Sequence, residues 1–407
     1  IVPSVIVYWV VADINFKVII GPVLLTLLVS VVVLILSCIL GWGVAKISLK
    51  LKNKSFITVI FSLLFIGLYY FVYYKVEKIL QELLTNLAVY GNEVKAKANI
   101  LYLFGKIGEG YIPSMIGFTV TLVAVTVLVL AIISKSFIKI ATSQGTVAKV
   151  RYKEKIIKEK SPFKALLEKE MKKFTSNANY MLNCGFGSIF MILFGGLILI
   201  KKELIFEIID GFVQTTSSLD ITVCEGDIVI IFITVICALI ALNDMVVPSV
   251  SLEGKSIWIL QSLPVKPWNI LKAKICVQLI ITGIPMIFCQ ICMFLIMRAS
   301  VIELILAMLI PIAFLVLITL FGMYLGIKRP NLTWTNEITP IKQSLSVAIA
   351  MFGGMAVPVV MCAIYLVVAK PIGSVVYMCL FLALIIVGSV IFYMWLKKKG
   401  SELFAKL

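Results

Sequence analysis

The sequence contains no histidine among its 407 residues, and it has few charged residues of either sign. Histidine is the commonest metal ligand and a frequent general base, so its absence removes the usual basis for either kind of site. Charged residues make up 14% of the chain, whereas soluble proteins contain about 25%. Hydrophobic residues make up 61%, and the mean hydropathy is +1.11. A water-soluble core does not require this much apolar surface, so the composition predicts a polytopic membrane protein.

Motifs for catalysis and cofactor binding are also lacking. The sequence has no GxxxxGK[ST] loop for ATP, no HExxH motif and no paired carboxylates on one predicted helical face. Its one CxxC motif, Cys289 to Cys292, lies inside an apolar run with no second pair, so it predicts neither a zinc site nor a disulfide framework. We therefore expect no catalytic residue, no cofactor-binding residue and no metal ligand, and hence no enzymatic activity in this chain.

Long apolar segments predict an all-α fold with about ten transmembrane helices, since about 20 apolar residues cross a bilayer. They are residues 1–12 (incomplete), 18–45, 55–74, 112–133, 180–200, 228–247, 275–297, 301–327, 347–368 and 373–395.

The connections between these segments differ strongly in charge when they are assigned alternately to two sides. One side receives residues 46–54, 134–177, 248–274, 328–346 and 396–407, together with Asp244 at the end of its segment. This side holds 27 Lys and Arg against 8 Asp and Glu, a net of +19, and the other side has a net of −2. The positive-inside rule then predicts a multi-pass membrane protein with a cytoplasmic C-terminus. The same rule explains the basic residues without a nucleic-acid partner.

The basic stretch between the apolar segments divides the chain into three predicted parts. Residues 1–133 are expected to be the remainder of a first transmembrane half, because the chain opens with Ile inside an apolar run. Residues 134–177 form a basic cytoplasmic linker, and residues 178–407 form a second half of six helices. The complete arrangement is then two six-helix halves, the first truncated at its N-terminus.

The end of the linker has the pattern of an amphipathic helix lying in the membrane interface. Ser161 and Pro162 are typical of a helix start. Phe163, Leu167, Met171 and Phe174 then recur on one face, as in an interfacial helix that leads into a span. Glu170 falls near this apolar face and does not fit the pattern.

The stretch SLEGKSIWILQSLPVKPWNILKAK, residues 251–274, lies between two apolar segments on the basic side. On a continuous helix begun at Pro248, Leu252, Ile259, Leu260 and Leu263 share a face, which we expect to contact the membrane domain. Ile257, Trp258 and Gln261 then lie on or beside the outward face. Trp is enriched at binding hot spots, so the pattern favours a docking helix for a cytoplasmic protein. A basic loop with an interfacial Trp anchor is the alternative.

Two stretches resemble a known family. SLEGKSIWILQSLPVKPWNILKAK and FKALLEKEMKKFTSNANYMLN resemble the coupling segment and the connecting helix of permease subunits of bacterial ABC transporters, in the type-2 exporter superfamily. The resemblance implies that the protein lies in a bacterial plasma membrane and that residues 248–274 face a cytoplasmic ATPase. The expected ATPase-coupling residues are Ser251, Glu253, Gly254, Leu263, Pro264 and Lys274, with Ile257, Trp258 and Gln261 added from the docking-helix pattern.

The function implied by the resemblance is ATP-driven export of a hydrophobic or amphipathic substrate, such as a lipid, a peptide or a drug. ATP and magnesium would bind to the separate ATPase. An ion-coupled secondary transporter is one alternative, but the predicted spans place no acidic residue near a midplane, where such coupling usually occurs. Asp244 is expected at the cytoplasmic end of its span, near headgroups or the coupling segment. A channel or a structural membrane protein is the other alternative.

Overall fold

The computed structural model describes residues 2–11, 15–48, 54–85, 99–142, 159–200, 203, 211, 225–297 and 299–407. Every regular element in these residues is helical, which confirms the predicted all-α fold. The chain divides into two compact units, Ile1–Lys155 and Ile156–Leu407, and their boundary lies within the predicted linker.

In the residues that the structure describes, the first unit has three long helices and two short ones. They are α1 (Val2–Val11), α2 (Phe16–Ser48), α3 (Lys54–Thr85), α4 (Asn99–Gly105) and α5 (Ile112–Thr142). Helix α1 has only ten residues, too few to cross a bilayer, and the Trp9 indole donates a hydrogen bond to the Val18 carbonyl at the start of α2. Helix α2 packs against α5.

The second unit contains the remaining helices. They are α6 (Pro162–Ser176), α7 (Ala178–Cys184), α8 (Phe186–Ile200), α9 (Glu225–Ala241), α10 (Val246–Ser251), α11 (Ile257–Gln261), α12 (Pro267–Phe294), α13 (Val301–Lys328), α14 (Ile338–Lys342), α15 (Leu345–Ile364), α16 (Ser374–Trp395) and α17 (Ser401–Lys406). Two turns of π-helix, Tyr365–Ala369 and Leu396–Gly400, extend α15 and α16.

Eight of the described helices or helix combinations are long and apolar enough to cross a membrane, and the number is nine if the bent pair α7 and α8 counts as one span. The angle between α7 and α8 is 56°. Helix α12 begins eight residues before the predicted segment 275–297, because Pro267 starts the helix at its first position. Lys272 and Lys274 are therefore part of this helix.

Helix α13 lies at the centre of the second unit and packs against α9, α10, α12, α15 and α16. The buried side chains of its first part, including Ile310 and Phe314, belong to the larger apolar core, and those near its end, including Met323, belong to a second one. Near its basic end, α13 lies so close to α10 that a β-carbon at Gly326 would lie 2.5 Å from the Val247 carbonyl oxygen. Glycine is required there by the approach of two backbones.

We expect Gly326→Ala to destabilise the second unit by about 1–3 kcal/mol, because neither backbone has space for a methyl group. Gly353→Ala on α15 is the matched control, since a β-carbon there would have no neighbour within 4 Å. Thermal unfolding in detergent micelles measures both variants. Equal midpoints for Gly326→Ala and the wild type would show that α10 and α13 are not in close contact.

Candidate functional site

A buried cluster of charges joins α6 to the start of α12. The Lys274 side chain has no exposed surface, and its ammonium nitrogen lies 2.6 Å from Glu253 Oε1 and 2.9 Å from Glu170 Oε1. It also donates a hydrogen bond to the Ser249 carbonyl at 3.0 Å. An ammonium group has three protons to donate, and each one has an acceptor here. The cluster thus connects three separate elements, α6, α10 and α12, through one side chain.

Two further lysines from α6 complete this cluster. The ammonium nitrogens of Lys169 and Lys173 both lie 3.1 Å from Glu253 Oε1. Burial by itself raises the pKa of Glu253, but the charges of Lys274, Lys173 and Lys169 outweigh burial and hold this pKa well below its usual range. The carboxylate of Glu253 is therefore ionised at every physiological pH.

The surroundings of Lys173, in contrast, disfavour its charged form. Burial, and then repulsion from Lys274, lower the pKa of Lys173 to about 8, although Glu253 and Glu170 act to raise it. This folded-state pKa lies below the usual lysine value of 10.5. The charged form of Lys173 therefore reduces folding stability at neutral pH, and this penalty decreases as the pH rises above about 8.

Helix α6 agrees with the predicted connecting helix in its bounds, but its most buried face differs from the predicted one. The buried residues are Leu166, Glu170 and Phe174, spaced four apart. Of the four predicted face residues, only Phe174 is buried, and Phe163, Leu167 and Met171 are half-buried. Glu170 is compatible with the buried face because Lys274 neutralises it. The position of α6 in the membrane interface stays a prediction.

Ser251 and Gly254 are held in place by the connection that follows α13. The Ser251 hydroxyl accepts a hydrogen bond from the Asn331 backbone at 3.0 Å, and the Ser251 carbonyl accepts one from the Trp334 indole at 2.6 Å. Gly254 has a φ of +53°, and a β-carbon there would lie 3.3 Å from the Trp334 ring. Glycine is favoured at this position both by its backbone conformation and by the space available.

The predicted faces of the docking helix are wrong for three residues. Ile257 is buried, not outward, and Ile259 and Leu263 are exposed, not directed at the membrane domain. The reason is that residues 248–263 do not form one continuous helix. Helix α10 ends at Ser251, and a 3₁₀ turn over Gly254–Ser256 changes the rotation of the chain before α11 begins. The predicted inward positions of Leu252 and Leu260 agree with the structure.

Three large apolar side chains of this segment are exposed, and we call them the outer apolar surface: Trp258, Ile259 and Leu263. Their exposed fractions are 63%, 48% and 38%. The surface borders a groove of about 490 Å³ between α6 and residues 256–265, lined mainly by apolar side chains. Pro264 lies at the edge of this groove, and Gln261 donates a hydrogen bond to the Phe404 carbonyl on α17 at 2.9 Å.

The predicted coupling residues therefore divide into two groups. Ser251, Glu253, Gly254, Ile257, Gln261 and Lys274 fix the segment to the helices, while Trp258, Leu263 and Pro264 are exposed on it. The sequence alone did not predict that Glu170, Lys169 and Lys173 belong to the buried charge cluster. The position of Glu170 within the apolar stripe of α6 could have indicated this cluster, because a buried carboxylate needs a nearby cation.

A second polar site lies at the break between α9 and α10, within the candidate span Gly226–Ser251. The Gln278 side chain on α12 bridges this break: its oxygen accepts from the Val246 backbone and its nitrogen donates to the Asn243 carbonyl, both at 2.8 Å. The Asn243 side-chain oxygen accepts from the Ser188 backbone at 3.0 Å. Asp244 lies in the break and is only 6% exposed, so of its two predicted surroundings the lipid headgroups are excluded and the coupling segment, residues 248–274, is left.

The described residues contain no group of three or more histidine, cysteine, aspartate or glutamate side chains that could hold a metal ion. The contacts observed between side chains in this region are ion pairs and hydrogen bonds. Such contacts can hold helices together, so that the movement of one helix displaces the next.

We expect Lys274→Met to destabilise the second unit by about 3–5 kcal/mol, because it leaves two buried carboxylates without their nearest cation. Lys266→Met is the control, since Lys266 is exposed just before α12 and its loss should change stability by about 0.5 kcal/mol or less. Unfolding in mixed micelles compares the two variants. Equal effects would contradict the buried position of Lys274.

The comparisons with known proteins correct the resemblance to type-2 ABC exporters. The family model that matches is described as "Membrane protein of 12 TMs", it covers residues 1–396, and nothing in the comparisons indicates the ABC exporter superfamily. The expected export direction had no basis other than that resemblance. No curated protein and no solved structure matches the chain. Because the family model covers nearly the whole sequence, the chain belongs to this family of membrane proteins with 12 transmembrane segments.

Proposed function

We propose that this chain is the transmembrane component of a transporter that is driven by a separate cytoplasmic ATPase. The ATPase would bind ATP and magnesium and would dock on the outer apolar surface. The single observation that carries this proposal is the exposure of Trp258, Ile259 and Leu263 on a segment between two spans. Large apolar side chains grouped at one exposed place are typical of a protein contact.

The contacts that attach the outer apolar surface to the helices support a mechanical role for this segment. The segment that carries it is bound to α12 through Glu253 and Lys274, and to α17 through Gln261. Glu253 also contacts lysines of α6. A partner that displaces the outer apolar surface therefore moves the first turns of α12, because the buried ion pairs resist separation. Helix α12 would transmit this movement into the membrane.

The charge distribution supports the orientation that this function requires. The side that contains the outer apolar surface carries a net charge of +19 in the predicted topology. Under the positive-inside rule this side is cytoplasmic, in a bacterial plasma membrane, and the C-terminus lies there as well. An ATPase in the cytoplasm would then reach the surface directly.

The core of the second unit supports the proposed substrate class. The side chains between α9, α13, α15 and α16 are almost all apolar, with Thr234 and Tyr377 among the few polar ones. A path opened between these helices would favour a hydrophobic or amphipathic substrate, such as a lipid, a peptide or a drug. Hydrated ions and sugars would find few polar partners along it.

Ion-coupled secondary transport is a second candidate, and the burial of Asp244 favours it. A buried acidic residue within a membrane span is the usual site of ion coupling. From the sequence this residue is expected at the cytoplasmic end of its span, near headgroups or the coupling segment, and that position counts against secondary transport. The two candidates differ in their energy source, which an experiment can identify.

We expect Trp258→Ala to abolish copurification of an ATPase with the chain, or to reduce it at least tenfold, while membrane insertion stays unchanged. Phe352→Ala is the control, because Phe352 has nearly the same exposed fraction, 64%, but lies within a candidate span. Affinity purification from native membranes, followed by an ATP hydrolysis assay, provides the measurement.

Two outcomes would contradict the proposed function. If no ATPase copurifies with the wild-type chain, and transport in proteoliposomes requires a proton or sodium gradient, secondary transport replaces it. If Trp258→Ala instead weakens binding of the chain's basic segment to lipid vesicles and leaves an ATPase bound, Trp258 is an interfacial anchor.

A further inference from the structure

We propose that Asp244 is a proton-binding site at the break between α9 and α10. Its carboxyl group holds a proton while the break is packed as observed, and it releases the proton when the break opens to water. This property of the chain does not depend on an ATPase, and it goes beyond the transport function proposed above.

The burial of Asp244 is the first observation. Only 6% of the residue is exposed, and no lysine or arginine in the described ranges lies within ion-pair distance of it. An ionised carboxylate without a cation in such surroundings is strongly unfavourable, so the group takes up a proton instead. The other two buried acidic residues of the basic end are both paired with cations: Glu253 with three lysines, and Glu170 with Lys274 and Lys169.

The groups around Asp244 are the second observation. Cys184 and Tyr180 on α7 face the break, and the Tyr180 hydroxyl donates its proton to the Met245 carbonyl at 2.5 Å. The thiol of Cys184 thus remains as the titratable partner of the Asp244 carboxyl.

Cations on the other packed helices do not reach Asp244. Lys274 on α12 is bound by Glu170 and Glu253, and Lys328 on α13 donates to the Tyr324 hydroxyl at 2.8 Å. Lys342 on α14 forms no ion pair with Asp244. Helices α8, α15 and α16 contain no charged residue in their sequences. The carboxyl is therefore isolated from positive charge in this part of the chain.

The interrupted helix is the third observation. Discontinuous membrane helices place backbone polar groups inside the membrane, and these breaks are where transporters bind ions. Gln278 satisfies two backbone groups of this break. The Asn243 side-chain nitrogen is fully buried and has no hydrogen-bond partner among the described residues.

A proton fits this site better than an alkali cation. A sodium ion prefers several oxygen ligands, whereas a sulfur atom, Cys184 Sγ, is the side-chain partner here. A single carboxyl group in apolar surroundings needs no further ligand to hold a proton.

Infrared titration of the purified chain in nanodiscs tests this proposal directly. We expect the wild type to show the carbonyl band of a protonated carboxylic acid at neutral pH, and to lose it as the pH rises. The band should be absent in Asp244→Asn and unchanged in Glu402→Gln, which removes an exposed carboxyl from α17. Asp244→Glu, which keeps a carboxyl group, should retain a band at a shifted frequency.

Three results would overturn the proposal: no such band in the wild type, a band that persists in Asp244→Asn, or a band that disappears when sodium is added at constant pH. The last result would identify an alkali cation site. If Asp244→Asn fails to fold, the shift of the band between the wild type and Asp244→Glu still assigns the band to residue 244. Since no ATPase is present in the sample, failure here leaves the proposed transport function untouched.

Discussion

The Lys274 ammonium is buried without any contact to water, so the protein itself must supply its neutralising charges and hydrogen-bond acceptors. Glu170 comes from α6, Glu253 from the turn after α10, and the Ser249 carbonyl from α10 itself. Helix α6, and α10 with the turn that follows it, are therefore fixed to the first turns of α12. Because separating any of them leaves a buried charge unpaired, this end of the second unit moves as one body.

Helix α10 connects the two sites described above. At one end the carbonyl of Ser249 contacts Lys274, and at the other end α10 begins directly after Asp244 and is hydrogen-bonded to Gln278. A displacement of the outer apolar surface would reach the break through only six residues. The proposed docking and the proposed proton site thus share one short helix, on which a partner and a proton would act from opposite ends.

The sequence predicts the helices well because a bilayer requires long apolar segments and because charge asymmetry orders their connections. It does not predict the faces of α11, which depend on the φ of Gly254 and on Trp334 from a distant connection. It also fails to predict the burial of Asp244, since Gln278, a residue of another helix, makes the break stable. The resemblance to ABC exporters depended on short motifs, whereas the matching family model covers residues 1–396.

The central claim is that Lys274 and Glu253 hold this end of the unit together as a pair. A double-mutant cycle with Lys274→Met and Glu253→Gln, measured by unfolding in mixed micelles, tests it most directly. Removing the second partner relieves the unpaired charge left by the first, so the double variant should lose about 1–3 kcal/mol less stability than the sum of the single variants. Additive losses, equal within about 0.5 kcal/mol, would contradict the account.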